Sequence, residues 1–151
     1  MILSICIPTY NRQNKILRTV RDFYNQILLS GEKDDIELVV SNNCSTDDTR
    51  KILDGLDFPK INFRVFHQTE NIGFDWNTKF LYEKAKGQYI WYFGDDDIIF
   101  NGSVKTIFDS IKNGKYGGMR FSFMQPIGDT GVSFPYPADT CQVITDKGQI
   151  I

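Results

Sequence analysis

Apolar residues follow two alternating kinds of spacing along the chain. Short apolar runs at residues 2–7 and 36–40 are typical of buried strands, and a polar loop follows each of them. Between them, apolar residues from Ile16 to Leu28 recur three and four positions apart, which predicts a helix that ends at Gly31. The pattern therefore predicts a strand, a helix and a second strand at the start of the chain.

The same alternation predicts three more strands, each preceded by a helix. These strands are expected at residues 61–67, 88–93 and 117–124. Residues 125–140, rich in glycine and proline, predict a loop or a hairpin. Strands that alternate with helices at this spacing predict an α/β fold, with a mainly parallel, Rossmann-like sheet and helices on both faces.

Small and polar residues mark the ends of the predicted helices. Ser45, Thr46 or Asp47 is expected to cap the second helix, and Ser103 the fourth. Gly87 is expected to end the third helix, because glycine readily adopts the backbone conformation that closes many helices.

Composition and charge exclude several classes of protein. The 151 residues are 41% apolar, enough to bury a core, and the net charge of −2 excludes a basic surface for nucleic acid. Three cysteines without a CxxC motif fit free thiols in a reducing compartment. No basic leader and no run of about 18 apolar residues is present, so a cytoplasmic protein is expected. Residues 1–151 are expected to form a single domain that is cut short at its C-terminus.

Polar residues follow each of the first four predicted strands. In a parallel sheet the carboxyl ends of the strands meet at one edge, where ligands bind. That edge is expected to collect Thr9, Tyr10, Asn11, Arg12, Ser41, Asn42, Asn43, Asn71, Asp95, Asp96 and Asp97.

Three consecutive aspartates, Asp95, Asp96 and Asp97, separate two apolar stretches. At roughly 5 Å and an effective dielectric near 20, each pair of these charges costs about 3 kcal/mol, unless water or a cation compensates. Carboxylate oxygens suit Mg²⁺ or Mn²⁺, and diphosphate oxygens would complete the coordination. A calcium loop of the helix-loop-helix kind is excluded, because Ile99 and Phe108 occupy ligand positions. The residues predict a nucleoside diphosphate held through a divalent metal.

Each of these features also has an ordinary structural interpretation. The acids could form a solvated turn, and residues 41–48 could be a helix cap alone. His67 is expected to end a strand without a further role, and Trp76 and Trp91 are expected in the core. Cys44 is not expected to be a nucleophile, because no histidine lies near it in sequence.

Four motifs in fixed order carry a family resemblance. They read SICIPTYNR, LVVSNNCSTDDT, ENIGFDWN and GQYIWYFGDDD, and they fall within residues 3–98. Together they resemble the family 2 glycosyltransferases, which have the GT-A fold. The spacing is most similar to enzymes that add sugars to bacterial O-antigen or capsule repeats, such as abequosyltransferase-like members.

The resemblance implies roles for the first three motifs. Residues 8–12, which begin at Pro8, would line the nucleotide. The acidic pair that usually contacts the base is replaced by Ser41 and Asn42, so Asn42 would read a pyrimidine through amide hydrogen bonds. The family's NxGxxxN stretch, which packs the strand-three loop against the donor, falls on Asn71, Gly73 and Asn77.

The fourth motif is similar to the family's metal-binding DxD motif. By position, Asp96 would be the metal ligand, Asp95 would face the ribose or the metal, and Asp97 would support the site. Gly94 stands where the family more usually has its first acid.

The resemblance implies an inverting, metal-dependent sugar transfer. The donor would be a UDP-, CDP- or GDP-linked sugar and the acceptor a saccharide or a lipid-linked saccharide. An acidic general base is expected beyond Ile151, so residues 1–151 alone are expected to be inactive. Contact with a membrane, at its inner face, would arise only through the acceptor or the missing C-terminal region.

Three alternative functions can be compared with the same residues. A sugar-nucleotidyltransferase would need a glycine-rich basic loop after the first strand, which PTYNR is not. A receiver domain or phosphatase would need acids there, and none is present. A non-catalytic nucleotide-sugar-binding module fits the same residues.

Overall fold

The computed structural model describes residues 1–114, 125–127 and 131–133. The chain divides into two compact units, Met1–Ser110 and Ile111–Ile151. The sheet and the site described below lie within the first unit. The elements are β1 (Leu3–Thr9), α1 (Ile16–Ser30), β2 (Ile36–Asn42), α2 (Thr49–Asp54), β3 (Asn62–His67), α3 (Phe74–Lys84), β4 (Tyr89–Tyr92), α4 (Ser103–Asn113), β5 (Gln125–Ile127) and β6 (Gly131–Ser133).

The first four strands form one parallel sheet in the order β3-β2-β1-β4. The chain adds β2 and β3 on one side of β1 and then returns to place β4 on the other side. The strand order therefore switches direction between β1 and β4, and ligands bind outside the carboxyl ends of the strands at such a point. The predicted, mainly parallel α/β sheet is confirmed.

Helices cover both faces of this sheet. On one face, the Phe23 ring of α1 meets the rings of Trp91 and Phe93 edge-on, at centroid distances of 5.5 and 4.8 Å. On the other face, Leu81 of α3 packs in a buried cluster with Cys6 and Val39. Because successive side chains of a strand point to opposite faces, β1 and β2 are apolar on both faces and read as continuous hydrophobic runs.

The ends of the helices were predicted less well than the helices themselves. Gly31 closes α1 in the left-handed conformation (φ 77°), as expected. The predicted cap of α2 is wrong, because Asp48 occupies the cap position and makes no side-chain cap hydrogen bond. The predicted end of α3 at Gly87 is also wrong, since the helix ends at Lys84. Ser103 is the first residue of α4 rather than the residue before it.

The C-terminal predictions are only partly covered by the structure. The strand expected at residues 117–124 lies outside the described residues. β5 and β6 pair in antiparallel fashion, which confirms the hairpin that was one of the two interpretations of residues 125–140. Along the described part of the chain, no helix combines the length and the apolar character that crossing a membrane requires.

Gly87 is expected to be intolerant of any side chain. A Cβ atom there would lie 2.6 Å from the backbone nitrogen of Ser4 and 2.8 Å from the carbonyl carbon of Leu3. These backbone atoms belong to a strand that is paired on both sides, so they cannot retreat. We expect Gly87→Ala to lower the free energy of unfolding by about 1–3 kcal/mol, measured by urea denaturation.

Gly55 provides the matched control for that substitution. A Cβ atom at Gly55 would meet its nearest neighbours at 3.5 Å, an ordinary contact, and its backbone is already right-handed helical (φ −84°). Gly55→Ala is therefore expected to be neutral or stabilising by up to about 1 kcal/mol. Equal denaturation midpoints for the two variants would contradict the close approach of Gly87 to β1.

Candidate functional site

A cleft of about 500 Å³ opens at the carboxyl ends of β1 and β4. Most of the residues predicted from the sequence line it: Pro8, Thr9, Tyr10, Arg12, Asn43, Asn71, Gly73, Asn77, Asp95 and Asp96. The remaining lining residues are Phe74, Thr78, Tyr92, Phe93 and Gly94, and of these the sequence analysis singled out Gly94 alone. Four predicted residues are not part of the lining: Asn11, Ser41, Asn42 and Asp97.

The loop after β1 is held by the loop after β2. Asn11 has a left-handed backbone (φ 53°), and its backbone N–H donates to Ser45 Oγ at 2.9 Å. The side-chain oxygen of Asn11 accepts from the backbone N–H of Thr46 at 2.9 Å. Arg12 N donates to Thr49 Oγ1 at 2.8 Å. These bonds fix the backbone from which Tyr10 and Arg12 reach the cleft.

Ser41 and Asn77 join β2 to α3 beneath the cleft. Ser41 Oγ donates to Asn77 Oδ1 at 2.6 Å, and Asn77 Nδ2 donates back to the Ser41 carbonyl at 3.0 Å. Both residues are buried. Their polar atoms therefore satisfy each other, and the pair positions the N-terminal half of α3 against the sheet.

Asn42 is 1% exposed and faces away from the cleft lining. Its Oδ1 accepts from the backbone N–H of Ser45 at 3.1 Å, and its Nδ2 lies 3.0 Å from His67 Nδ1. Both polar atoms of the Asn42 side chain are thus engaged within the protein. Direct contact of Asn42 with a base stays a prediction.

His67 has a role that sequence reasoning missed. Its Nδ1 faces the Asn42 amide, and its Nε2 lies 2.9 Å from Asp54 Oδ1. An amide N–H requires an acceptor at Nδ1, so we assign the proton to Nε2, which then donates to Asp54. His67 thereby ties β3 to β2 and α2. This role follows from the strand pairing, which places Asn42 opposite His67, and the apolar pattern of the sequence does not give that register.

Two asparagines order the loop between β3 and α3 along one wall of the cleft. Asn43 Nδ2 donates to Asn71 Oδ1 at 2.8 Å, and Asn43 Oδ1 accepts from the Ile72 N–H at 2.9 Å. Asn71 Oδ1 also accepts from the Gly73 N–H at 3.0 Å. Gly73 has φ 81° directly before α3, a conformation that favours glycine.

The acidic run after β4 meets basic residues from the loop after β1. Arg12 Nε lies 3.1 Å from Asp95 Oδ1, and Arg12 Nη2 lies 3.6 Å from Asp96 Oδ2. Lys15 Nζ lies 3.9 Å from the same Asp96 oxygen. Asp95 is buried, whereas 46% of the Asp96 side chain is exposed. Asp96 is therefore the carboxylate that a ligand in the cleft can reach.

Asp97 turns back onto Gly94 instead of lining the cleft. Its N–H donates to the Gly94 carbonyl at 3.3 Å, and a Cβ atom at Gly94 would lie 2.6 Å from Asp97 Oδ2. A side chain at position 94 would therefore require the exposed Asp97 carboxylate to move aside. Burial, followed by the charges of Asp96 and Asp95, raises the pKa of Asp97.

The residues at this site fit a metal that is shared with a diphosphate. Within the described ranges, no three His, Cys, Asp or Glu side chains converge on a common metal position. Magnesium, however, is usually held by one or two carboxylates together with substrate phosphates. The accessible Asp96 beside the fixed Asp95 matches that donor set, whereas a metal held by protein ligands alone does not fit.

Hydroxyl groups in the wall of the cleft provide further polar chemistry. Among the described residues, Thr9 Oγ1 and Thr78 Oγ1 are buried without a hydrogen-bond partner, and both residues line the cleft. Buried polar groups of this kind are rare and call for an explanation. Burial, followed by the charges of Cys6 and Tyr82, raises the pKa of Tyr92 to about 12, so its hydroxyl stays a donor at neutral pH.

Sequence comparisons identify relatives for most of the chain. The profile of Glycosyl transferase family 2 matches residues 4–139. The chain is 35% identical over 111 residues to abequosyltransferase RfbV of Salmonella typhimurium, covering 71% of this chain and 32% of RfbV. It is 26% identical over 113 residues to the GalNAc(5)-diNAcBac-PP-undecaprenol beta-1,3-glucosyltransferase of Campylobacter jejuni, covering 74% and 35% of the two chains. The chain thus spans about a third of the length of these curated relatives.

Solved structures share the fold. S. aureus TarS 1–349 in complex with UDP-GlcNAc matches with a TM-score of 0.70 and 24% identity, over 88% of this chain and 37% of that one. The mannosyltransferase PcManGT from Pyrobaculum calidifontis, in complex with GDP-Man and Mn²⁺, matches with a TM-score of 0.64 and 20% identity, over 76% and 33%. These similarities confirm the expected GT-A fold.

Proposed function

The chain belongs to glycosyl transferase family 2, and we propose that it binds a nucleotide-sugar donor for glycosyl transfer in bacterial surface polysaccharide synthesis. The observation that carries this proposal is the cleft at the switch point between β1 and β4. The loop after β1 and the acidic run after β4 both line this cleft, as a site for a nucleoside diphosphate requires.

The walls of the cleft suit the parts of such a donor. Tyr10, Phe74 and Tyr92 are exposed aromatic side chains in its lining, and they offer flat surfaces for a base or a sugar ring. The Thr9 and Thr78 hydroxyls supply polar atoms that the protein itself leaves unpaired. We assign the diphosphate to the end of the cleft where Arg12 and Asp96 meet.

A divalent cation, Mg²⁺ or Mn²⁺, is proposed at the same end of the cleft. Asp96 would hold it, with Asp95 beside it and Asp97 supporting the turn. Bound there, the cation would neutralise the charge on the leaving diphosphate. PcManGT is in complex with GDP-Man and Mn²⁺, and TarS with UDP-GlcNAc, so guanine and uracil donors are both candidates, together with a cytosine nucleotide.

The buried polar residues of the motifs are proposed to act indirectly. Ser41, Asn42 and Asn77 hold β2, β3 and α3 together through hydrogen bonds within the protein. Asn43 and Asn71 order the loop that precedes α3. These residues keep the wall of the cleft in place, and substitutions there are expected to affect donor binding through the loops.

The acceptor hydroxyl must lose a proton during an inverting transfer. Asp95 and Asp96 are both engaged in ion pairs, with Arg12 and, for Asp96, also with Lys15. We therefore propose that the general base is a different acid, supplied by sequence beyond Ile151. Asp129, Asp139 and Asp146 lie outside the described residues.

We propose a saccharide or lipid-linked acceptor at the cytoplasmic face of the membrane. Two relatives support this proposal. The C. jejuni relative is named for a PP-undecaprenol-linked acceptor, and the S. typhimurium relative is an abequosyltransferase. A lipid-linked acceptor would bring this chain to the membrane surface.

Nucleoside diphosphate binding is expected to depend on a divalent cation. We expect UDP, CDP or GDP to bind at least about tenfold more weakly in EDTA than in Mn²⁺, because the metal compensates charge between Asp96 and the diphosphate. Isothermal titration calorimetry with each nucleotide in both buffers measures this ratio. Uridine, cytidine and guanosine are the controls, since without a diphosphate their binding should not respond to the metal. Equal nucleotide affinities in the two buffers would refute the metal bridge.

A further inference from the structure

One guanidinium group lies against two of the three consecutive aspartates. Arg12 contacts Asp95 through Nε at 3.1 Å and Asp96 through Nη2 at 3.6 Å. Lys15 makes a longer contact to Asp96 only, at 3.9 Å. The positive charge that a run of carboxylates requires is thus supplied mainly by Arg12, from a loop that the fold brings to the end of β4.

The backbones at both ends of this contact are fixed, whereas the Arg12 side chain is free to move. Arg12 N donates to Thr49 Oγ1 at 2.8 Å, and the Asp95 carbonyl accepts from Thr19 Oγ1 at 3.2 Å. These bonds fix both backbones. The Arg12 side chain, however, is 39% exposed at the cleft. Its guanidinium can therefore turn about its side-chain bonds while Asp95 stays in place.

Arg12 contacts one oxygen of each carboxylate, Asp95 Oδ1 and Asp96 Oδ2, so a divalent cation held by the same pair of aspartates would lie close to the guanidinium. Two positive groups that share Asp96 repel each other, so a free metal ion binds poorly while Arg12 remains there. A diphosphate changes this balance, because its oxygens accept two parallel N–H donors from an arginine. The diphosphate also supplies the remaining ligands of the metal.

We propose that Arg12 guards Asp95 and Asp96 against free divalent cations and transfers to the diphosphate when metal and nucleotide enter together. This inference rests on the proposed donor site. Its consequence is that metal and nucleotide bind cooperatively, and that each raises the affinity of the other by the same factor. Arg12 is then the residue through which the binding of the metal is coupled to the binding of the nucleotide.

The test measures the binding of Mn²⁺ alone, by the loss of the free Mn²⁺ signal in electron paramagnetic resonance. We expect Arg12→Gln to bind Mn²⁺ about tenfold more tightly than the wild-type chain. Arg12→Lys keeps the charge but cannot bridge both carboxylates, so its affinity should lie between the two. Arg21→Gln removes the same charge from an exposed position on α1, and we expect a change of less than about twofold, since salt screens distant charges.

A second titration adds UDP or GDP. In the wild-type chain the nucleotide should increase Mn²⁺ affinity, and in Arg12→Gln this increase should be smaller. Unchanged or weaker Mn²⁺ binding by Arg12→Gln, in a variant whose thermal melt matches the wild type, would overturn the proposal. If no nucleotide binds to the wild-type chain in Mn²⁺, the proposed donor site fails, whereas the comparison with Mn²⁺ alone still decides whether Arg12 competes with the cation.

Discussion

Glu37→Ala is expected to lower the free energy of unfolding by about 3–5 kcal/mol. Glu37 is the second residue of β2 and is 1% exposed. Its carboxylate accepts from Ser4 Oγ at 2.5 Å, from Lys86 N at 2.6 Å and from Arg64 Nη2 at 2.7 Å. Alanine would leave the buried Ser4 hydroxyl without its acceptor and the Lys86 N–H without its partner, and it would remove the counter-charge of Arg64, which is only 25% exposed.

Thermal or urea unfolding measures this loss, and Glu83→Ala is the matched control. The Glu83 side chain is 57% exposed on α3 and faces Lys79 at 4.0 Å, so its removal should change stability by less than about 1 kcal/mol. Glu37→Gln should fall between the two, because an amide oxygen still accepts but the charge opposite Arg64 is lost. If Glu37→Ala unfolds at the same urea concentration as Glu83→Ala, the buried network contributes little to the fold.

The Glu37 network also shows which features a sequence conceals. The strand at residues 36–40 was predicted from its apolar residues, and that prediction is confirmed. The single acid within it gave no indication of its partners, because Ser4, Arg64 and Lys86 lie 33, 27 and 49 positions away. Such contacts depend on strand register, which an apolar run does not encode by itself.

The convergence of the site residues at one edge of the sheet could be predicted, because it follows from the sheet topology. Once the strands are parallel, their carboxyl ends share one edge, and Thr9, Arg12, Asn43 and Asp96 meet in the cleft as expected. The distinction between lining residues and supporting residues could not be predicted. Asn42 and Asn43 are adjacent in sequence, yet only Asn43 lines the cleft, because successive residues at a strand end face opposite sides.

The helix caps were mispredicted because tertiary contacts outweighed local preference. Ser45 and Asp47 are good capping residues by type, and the structure uses both to hold the loop after β1. Ser45 Oγ accepts from the Asn11 N–H at 2.9 Å, and Asp47 Oδ2 accepts from the Gln13 N–H at 3.1 Å. The polar loop after β2 was therefore correctly singled out, although its side chains mainly brace a neighbouring loop. Asp47 lies one residue before the cap position, and its Oδ1 accepts from the N–H of Thr49, the first residue of α2, at 3.0 Å.

The three aspartates show both what could and what could not be predicted from the sequence. The sequence predicted that water or a cation must compensate their charge, and the structure places Arg12 against two of them. The sequence alone could not show that Arg12, which lies 83 positions from Asp95, would supply that charge. A metal and an arginine are alternative answers to the same electrostatic requirement, so the two must be separated by experiment.

Asp96→Asn is expected to weaken metal-dependent nucleotide binding by about 100-fold, which corresponds to about 2.7 kcal/mol. Asparagine keeps one oxygen but lacks the charge through which a carboxylate holds a hard cation. The fold should be unaffected or slightly stabilised. The Asp96 side chain is 46% exposed and pairs with Arg12 and Lys15 at 3.6 and 3.9 Å, contacts that are worth roughly 0–1 kcal/mol, and its removal relieves repulsion from Asp95 and Asp97.

Calorimetry in Mn²⁺ and thermal melts in EDTA test the two parts of this prediction separately. Asp57→Asn makes the same chemical change at an exposed residue outside the cleft, and it should bind nucleotide like the wild type. If Asp96→Asn melts several degrees lower without metal, Asp96 is a structural partner of Arg12 and not a metal ligand. If its nucleotide affinity in Mn²⁺ is unchanged while its stability is kept, the diphosphate is held by Arg12 and Lys15 directly. The two basic residues, not a metal, would then compensate the charge of the diphosphate.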